Sequence, residues 1–148
     1  MIIETTDSSL TLAMGLSIAQ AVLNKGYELG CKPLSVAVLD NGGHLVALLR
    51  DDGSSNLRPQ LAIGKASGPL AMGVSSRKIG LMAQERPHFI SAAAQLSGGG
   101  MIPVAGGLLI QSSKGKLIGA VGVTGDTSDR DEECALHGLY AVGLRPRE

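Results

Sequence analysis

Residues 36–53 read VAVLDNGGHLVALLRDDG. Two apolar runs flank Asp40, Asn41, Gly42 and Gly43, and Asn-Gly supplies the positive φ angles that a tight hairpin turn needs. The runs LSVAVLD and HLVALLR therefore read as paired antiparallel strands. Both are apolar at most positions, so each face of their sheet needs cover, from helices or from another subunit. His44 follows the turn directly. The hairpin alone leaves it three roles: ligand, catalytic base, or polar residue at a strand end.

A second hairpin lies further along, with strands GLLIQ and KLIGAVGVTG joined through SSKGK. Before the first hairpin, capping residues in TTDSS lead into LTLAMGLSIAQAVLNKGYELG, which keeps a helical period. Leu12, Leu16, Ala19 and Leu23 share one face of that long helix, with Ile18 and Val22 beside it. Gly30 is its expected stop, and Pro33 cannot prolong it. Between the hairpins, two helices are expected at about 57–72 and 75–85, with Gly68-Pro69 and Pro87 as interruptions. SAAAQLSGGGMIPVAGG then reads as glycine-rich loop. After the second hairpin, TSDRDEECALHGLYAVG opens on Thr and Ser caps and forms a terminal helix. Helix, hairpin, two helices, hairpin, helix is an α+β arrangement with an antiparallel sheet, one domain over 1–148.

Composition sets outer limits. A chain of 148 residues with 44% hydrophobic and 18% charged residues can bury a core. With one Phe, two Tyr and no Trp, that core is aliphatic. Thirteen basic residues balance thirteen acidic ones, and no basic stripe or aromatic platform stands ready for nucleic acid. No run approaches the roughly 20 apolar residues of a membrane span. The start, MIIETTDSSL, lacks the pattern of a secretory signal, and Cys31 and Cys134 form no CxxC pair, so a reducing cytoplasm is expected.

Chemistry-bearing patterns are sparse. SGGGMIPVAGG meets neither the GxxxxGK[ST] nor the GxGxxG requirement for a phosphate cradle. Gly98, Gly99 and Gly100 read as loop, while Gly106-Gly107 suits a pocket wall or a close backbone approach. His44, His88 and His137 have no zinc-ligand spacing, so no metal site is expected; Cys134 and His137 merely share a helix face. No GxSxG elbow is present. The acidic cluster Asp129, Asp131, Glu132 and Glu133 reads as compensation of a helix dipole, with room for one or two carboxylates to face a site. Lys65 and Arg50 are the cations best suited to an anionic ligand, though such residues are ordinarily solvated.

Read together, VAVLDNGGHLVALLRDDG, AIGKA, PVAGGLLI and LIGAVGVTGDTSDRDEECALHG resemble the haem-binding GlcG/HbpS-like family, which includes the C-terminal domain of PduO-type cobalamin adenosyltransferases. The resemblance runs from the first helix to about Gly143, departing where PVAGG puts its proline before the glycine pair. It implies profilin-like, PAS-related α/β/α layers around a five-stranded antiparallel sheet, and assembly into dimers or larger homo-oligomers. It further implies a small-molecule ligand, haem or a related tetrapyrrole, and pocket positions Asp40, His44, Arg50, Lys65, Gly106, Gly107, Gly125, Asp131 and Glu132. His44 is the first axial-ligand candidate, with His137 and Met101 behind it. The alternative is a catabolic isomerase, hydratase or lyase acting on an oxygenated acid. There His44 is the acid/base, Arg50 or Lys65 holds a carboxylate, and Asp131 or Glu132 orients the base. A third reading is a structural subunit with no active pocket.

Overall fold

The structure, a computed structural model, describes residues 9–98 and 100–147. Its elements are α1 (Leu12–Leu29), β1 (Ser35–Asp40), β2 (Leu45–Arg50), α2 (Arg58–Met72), α3 (Ser76–Glu85), α4 (Pro87–Leu96), β3 (Gly107–Gln111), β4 (Leu117–Thr124), α5 (Ser128–Ala141) and β5 (Arg145–Pro146). The five strands form one antiparallel sheet in the order β2-β1-β4-β3-β5. The α+β arrangement and the five-stranded sheet are thus as expected. The two hairpins meet through β1 and β4, Val36 opposite Val123 and Asp40 opposite Gly119.

Alternation along the strands separates two unlike faces. Val36, Val38, Leu108, Ile110, Val121 and Val123 meet α1 and α5 through Met14, Ile18, Val22 and Leu139. Each fully buried side chain of this size contributes roughly 1.5–3 kcal/mol. The other face is built small. Ala66 of α2 packs on Leu39, Leu109 and Ala120, and two glycines let the helix backbone come close. A Cβ on Gly107 would lie 1.7 Å from Lys65 O, and one on Gly122 would lie 2.0 Å from Ala62 O. Gly122 of β4 and Gly107 of β3 are therefore the floor under α2.

Several helix expectations change. Helix α1 is capped as its sequence suggests, Thr11 Oγ1 accepting from Met14 N and Gly30 closing it at φ 69°. Of its expected face, Ala19 and Leu23 are buried along with Ile18 and Val22, but Met14 completes the core side while Leu12 and Leu16 are 60% and 44% exposed. Gly68-Pro69 does not interrupt α2. Proline lacks the N–H that would bond Lys65 O one turn back, and that carbonyl instead faces the bare Gly107. Pro87 does mark an interruption, with α3 ending at Glu85, and it then opens α4 from the first turn, where its missing N–H does no harm. SAAAQL, read as loop, completes α4, because alanine is the strongest helix former and Ile90 docks on Ile79 and Met101. Of the glycine triplet read as loop, Gly99 lies outside the described residues, as does the 1–8 start read as lacking a signal.

Candidate functional site

The first hairpin turn organises an exposed histidine–carboxylate pair. Asp40 Oδ1 accepts from Gly42 N at 2.9 Å and from His44 N at 3.0 Å, and lies 3.2 Å from His44 Nδ1. Asp side chains favour such local bonds, and Gly43 takes the positive φ of 82° that the turn requires. Partial burial pushes the Asp40 carboxyl up, but the His44 and Gly42 N–H bonds and the imidazole outweigh it, so its pKa sits below the ordinary value. An ionised carboxylate only accepts, which assigns the shared proton to Nδ1 and leaves the Nε2 lone pair of a neutral ring free. The His44 side chain is 81% exposed. Its ring lies against Gly42, where a Cβ would come within 2.8 Å of Nδ1 and Cε1. Beside it, Asn41, Gly42 and Gly43 form one wall of a cleft of about 320 Å3. Ser67, Leu70 and Ala71 of α2 form the facing wall, and Ser97 and Gly98 close one end.

The other predicted residues gather elsewhere. Lys65 Nζ donates to Asp131 Oδ2 and to Val123 O, each at 3.0 Å, and Asp131 Oδ1 accepts from Asp126 N. Lys65 is 3% exposed and Asp131 1%. Burial pushes the Lys65 pKa down and the Asp131 carboxyl up, each against the pull of the other's charge. Gly106 and Gly107 wall this pair: a Cβ on Gly106 would lie 2.9 Å from Lys65 Nζ, and Ser76 Oγ accepts from Gly107 N. Lys65, expected either to hold an anionic ligand or to be solvated, is instead sealed between α2, β4 and α5. Val123 faces Val36, four residues from Asp40 along β1, so the Lys65 cluster is about 13 Å from the hairpin tip at a strand's rise of about 3.3 Å per residue.

Within one chain, the pocket implied by the resemblance therefore divides. Arg50 is turned to Ser54 O through Nε and Nη2 at the far end of β2 from the tip. Gly125, at φ 142°, packs against Pro33 O. Glu132 is held by Arg77 Nε at 3.1 Å. Neither Asp131 nor Glu132 orients His44 in its own chain; Asp40 does. Met101 is buried with Ile79 and Ile90, and His137 is half-buried on α5. Sequence reading missed the cleft wall from Ser67, Leu70, Ala71 and Ser97. The first three share one helix face, a signal that reads equally well as core. Among the described residues, no group of three or more His, Cys, Asp or Glu side chains converges on a metal position. No described helix is long and apolar enough to cross a membrane.

A family model described as "Haem degrading protein HbpS-like" matches residues 10–140. A 15.0 kDa protein from the dhaT–dhaS intergenic region of Citrobacter freundii is 31% identical over 124 residues, covering 84% of this chain and 85% of its own. The crystal structure of HbpS superposes with a TM-score of 0.79 at 26% identity, covering 94% of both chains. That of a PduOC:haem complex reaches a TM-score of 0.83 at 20% identity, over 95% of this chain and 99% of the other, a likeness of fold.

Proposed function

This chain belongs to the HbpS-like family, and from that premise we propose that it is a homo-oligomeric binding protein for haem or a closely related tetrapyrrole, held through His44 Nε2. The observation that carries the reading is the Asp40–His44 pair. A metal-ligating imidazole characteristically gives its other ring N–H to a carboxylate, which fixes the tautomer and raises the basicity of the ligating nitrogen. His44 has that partner, an exposed ring and a free Nε2. The donor set thus fits a haem iron, which supplies an axial coordination site when bound.

The chain's own residues would do the rest. Leu70 and Ala71 offer apolar surface to a porphyrin face, and Asn41, Ser67 and Ser97 offer polar groups at the cleft margins. A cleft of about 320 Å3 is near the low end of the roughly 300–1,000 Å3 usual for ligand pockets. It covers part of a macrocycle, and a second copy is the natural cover for the remainder. Self-association has a candidate surface in the open apolar groove formed by Leu12, Leu16 and Leu49. The acid/base alternative is less well supported, since sealing of Lys65 and the turn of Arg50 toward Ser54 O leave the carboxylate of a substrate without its expected anchors.

Titration of the purified apo-protein with haemin tests the reading. A saturable Soret shift is expected, lost or strongly altered in His44→Ala. An unchanged spectrum and affinity in that variant would remove His44 as the ligand.

A further inference from the structure

A second cleft, also of about 320 Å3, sits at the β3–β5 edge of the sheet and shares no lining residue with the cleft beside His44. Its chemistry is two-sided. Leu108 of β3, Leu136 of α5 and Pro146 of β5 give an apolar floor, and Arg77, Lys78 and Arg147 stand around it. Glu132 also lines the cleft, but its carboxylate is committed to Arg77 Nε at 3.1 and 3.2 Å, and Arg77 is further held by Asp129. Lys78 and Arg147 have no side-chain partner among the described residues. Among the described residues, counting Glu132 and Asp129 against the three cations leaves an excess of positive charge. Ser75, the N-cap of α3, keeps its hydroxyl proton available, because its oxygen accepts from Lys78 N.

We propose that this cleft binds a small monocarboxylate with a compact apolar body, its carboxylate between Lys78 and Arg147 and its body on Leu108, Leu136 and Pro146. The size follows from the volume. At about 30 Å3 per water, the cleft holds roughly ten waters, room for an acid of about ten non-hydrogen atoms. The charge follows from the unpaired cations. A neutral molecule of the same shape gains no charge-assisted bond from these two exposed cations, whereas a carboxylate accepts one from each.

Benzoate and benzyl alcohol separate the two contributions, because they share a ring and differ in charge. Each is titrated into the full chain at ionic strength held constant with sodium chloride, following backbone amide signals by NMR. Saturable benzoate binding is expected, with shifts confined to residues 74–78, 107–109, 132–136 and 145–147. Benzyl alcohol is expected to bind at least about tenfold more weakly, the loss of one charge-assisted contact. Lys78→Gln/Arg147→Gln should weaken benzoate by about tenfold or more. Both side chains are exposed, so the variant should keep the wild-type melting temperature and its haemin titration. Equal binding of acid and alcohol, retention of benzoate by the double variant, or shifts centred elsewhere would overturn the proposal. So would a change of oligomer mass in the variant without benzoate binding to the parent, which would make the cleft an interface between copies.

Discussion

The hairpin tip and the Lys65–Asp131 cluster each join a nitrogen base to a carboxylate at nearly the same distance, 3.2 and 3.0 Å. Their surroundings differ in every way that decides use. The His44 side chain is 81% exposed and that of Lys65 4%. An exposed pair adds only about 0–1 kcal/mol to stability, so the fold can present it to a ligand at little risk. A buried pair has given up the hydration of both charges, and its partners depend on each other. Resemblance alone placed both in one pocket. Access, more than the presence of a carboxylate partner, separates a ligand from a structural tie.

The strongest way to break this contrast is to remove one member of the buried pair. Lys65→Met leaves Asp131 buried without its cation and should cost about 3–5 kcal/mol, read as a fall in the urea midpoint. Lys65→Met/Asp131→Leu should recover most of that loss, since apolar replacement of a whole buried pair is often neutral. A single substitution costing under about 1 kcal/mol would mean that the pair is open to water. Next in size is the glycine floor. Gly107→Ala forces a Cβ to within 1.7 Å of Lys65 O, a backbone atom that cannot swing aside, and overpacking of that kind costs about 1–3 kcal/mol or more. A thermal melt within a degree of the parent would show that α2 does not rest on Gly107.

These expectations also show what the sequence could and could not reveal. Turn chemistry is local, so both hairpins, the Thr11 cap and the Gly30 stop were legible, and Asp40 and His44 stood side by side in one motif. The buried side at the start of the first helix was not. Leu12 and Leu16 are as apolar as Met14 and Ile18, and only the position of β1 decides which pair is buried. Lys65 and Asp131 meet across 66 positions, and no periodicity encodes that contact. Pro69 misled because its cost depends on Lys65 O, which sits against a glycine from a distant strand. Cys31 and Cys134 carried no pairing motif, yet both belong to the cluster between α1 and α5. Burial pushes the Cys134 thiol up to about 12. Since the folded value lies above that of a free thiol, stability should be full below about pH 8.5 and fall as pH rises toward the folded value, as denaturation followed through the alkaline range would show.

At the exposed tip the expected effects on binding are larger than those on the fold. Asp40→Asn removes the carboxylate that holds Nδ1 and should weaken haemin binding by about 10–100-fold, the usual loss for a partner of a metal-ligating histidine. The turn loses charge-assisted bonds from Gly42 and His44 N–H as well, a stability cost of about 1 kcal/mol. Because Asp40 titrates below its ordinary value, its support of the turn is complete above the normal carboxylate range and is lost as pH falls through the lowered value. Protection factors at Gly42 and His44, that is exchange rates normalised to the intrinsic rate at each pH, should therefore fall on acidification in the parent and show no such dependence in Asp40→Asn.

The smallest stability effect carries the sharpest distinction. His44→Ala removes a side chain whose one side-chain partner among the described residues is Asp40 Oδ1, while the His44 N–H bond to that oxygen stays in place. Its melting temperature should change by no more than the equivalent of about 0.5 kcal/mol, even as the Soret shift disappears. Gly42→Ala tests the same point without deleting the ligand. The added methyl meets Nδ1 and Cε1 at 2.8 Å, so the ring must swing away from the cleft wall, and haemin affinity should fall while the hairpin persists. If His44→Ala instead unfolds the hairpin, the ring is an anchor of the turn, and the tip and the buried cluster would be two versions of the same structural device.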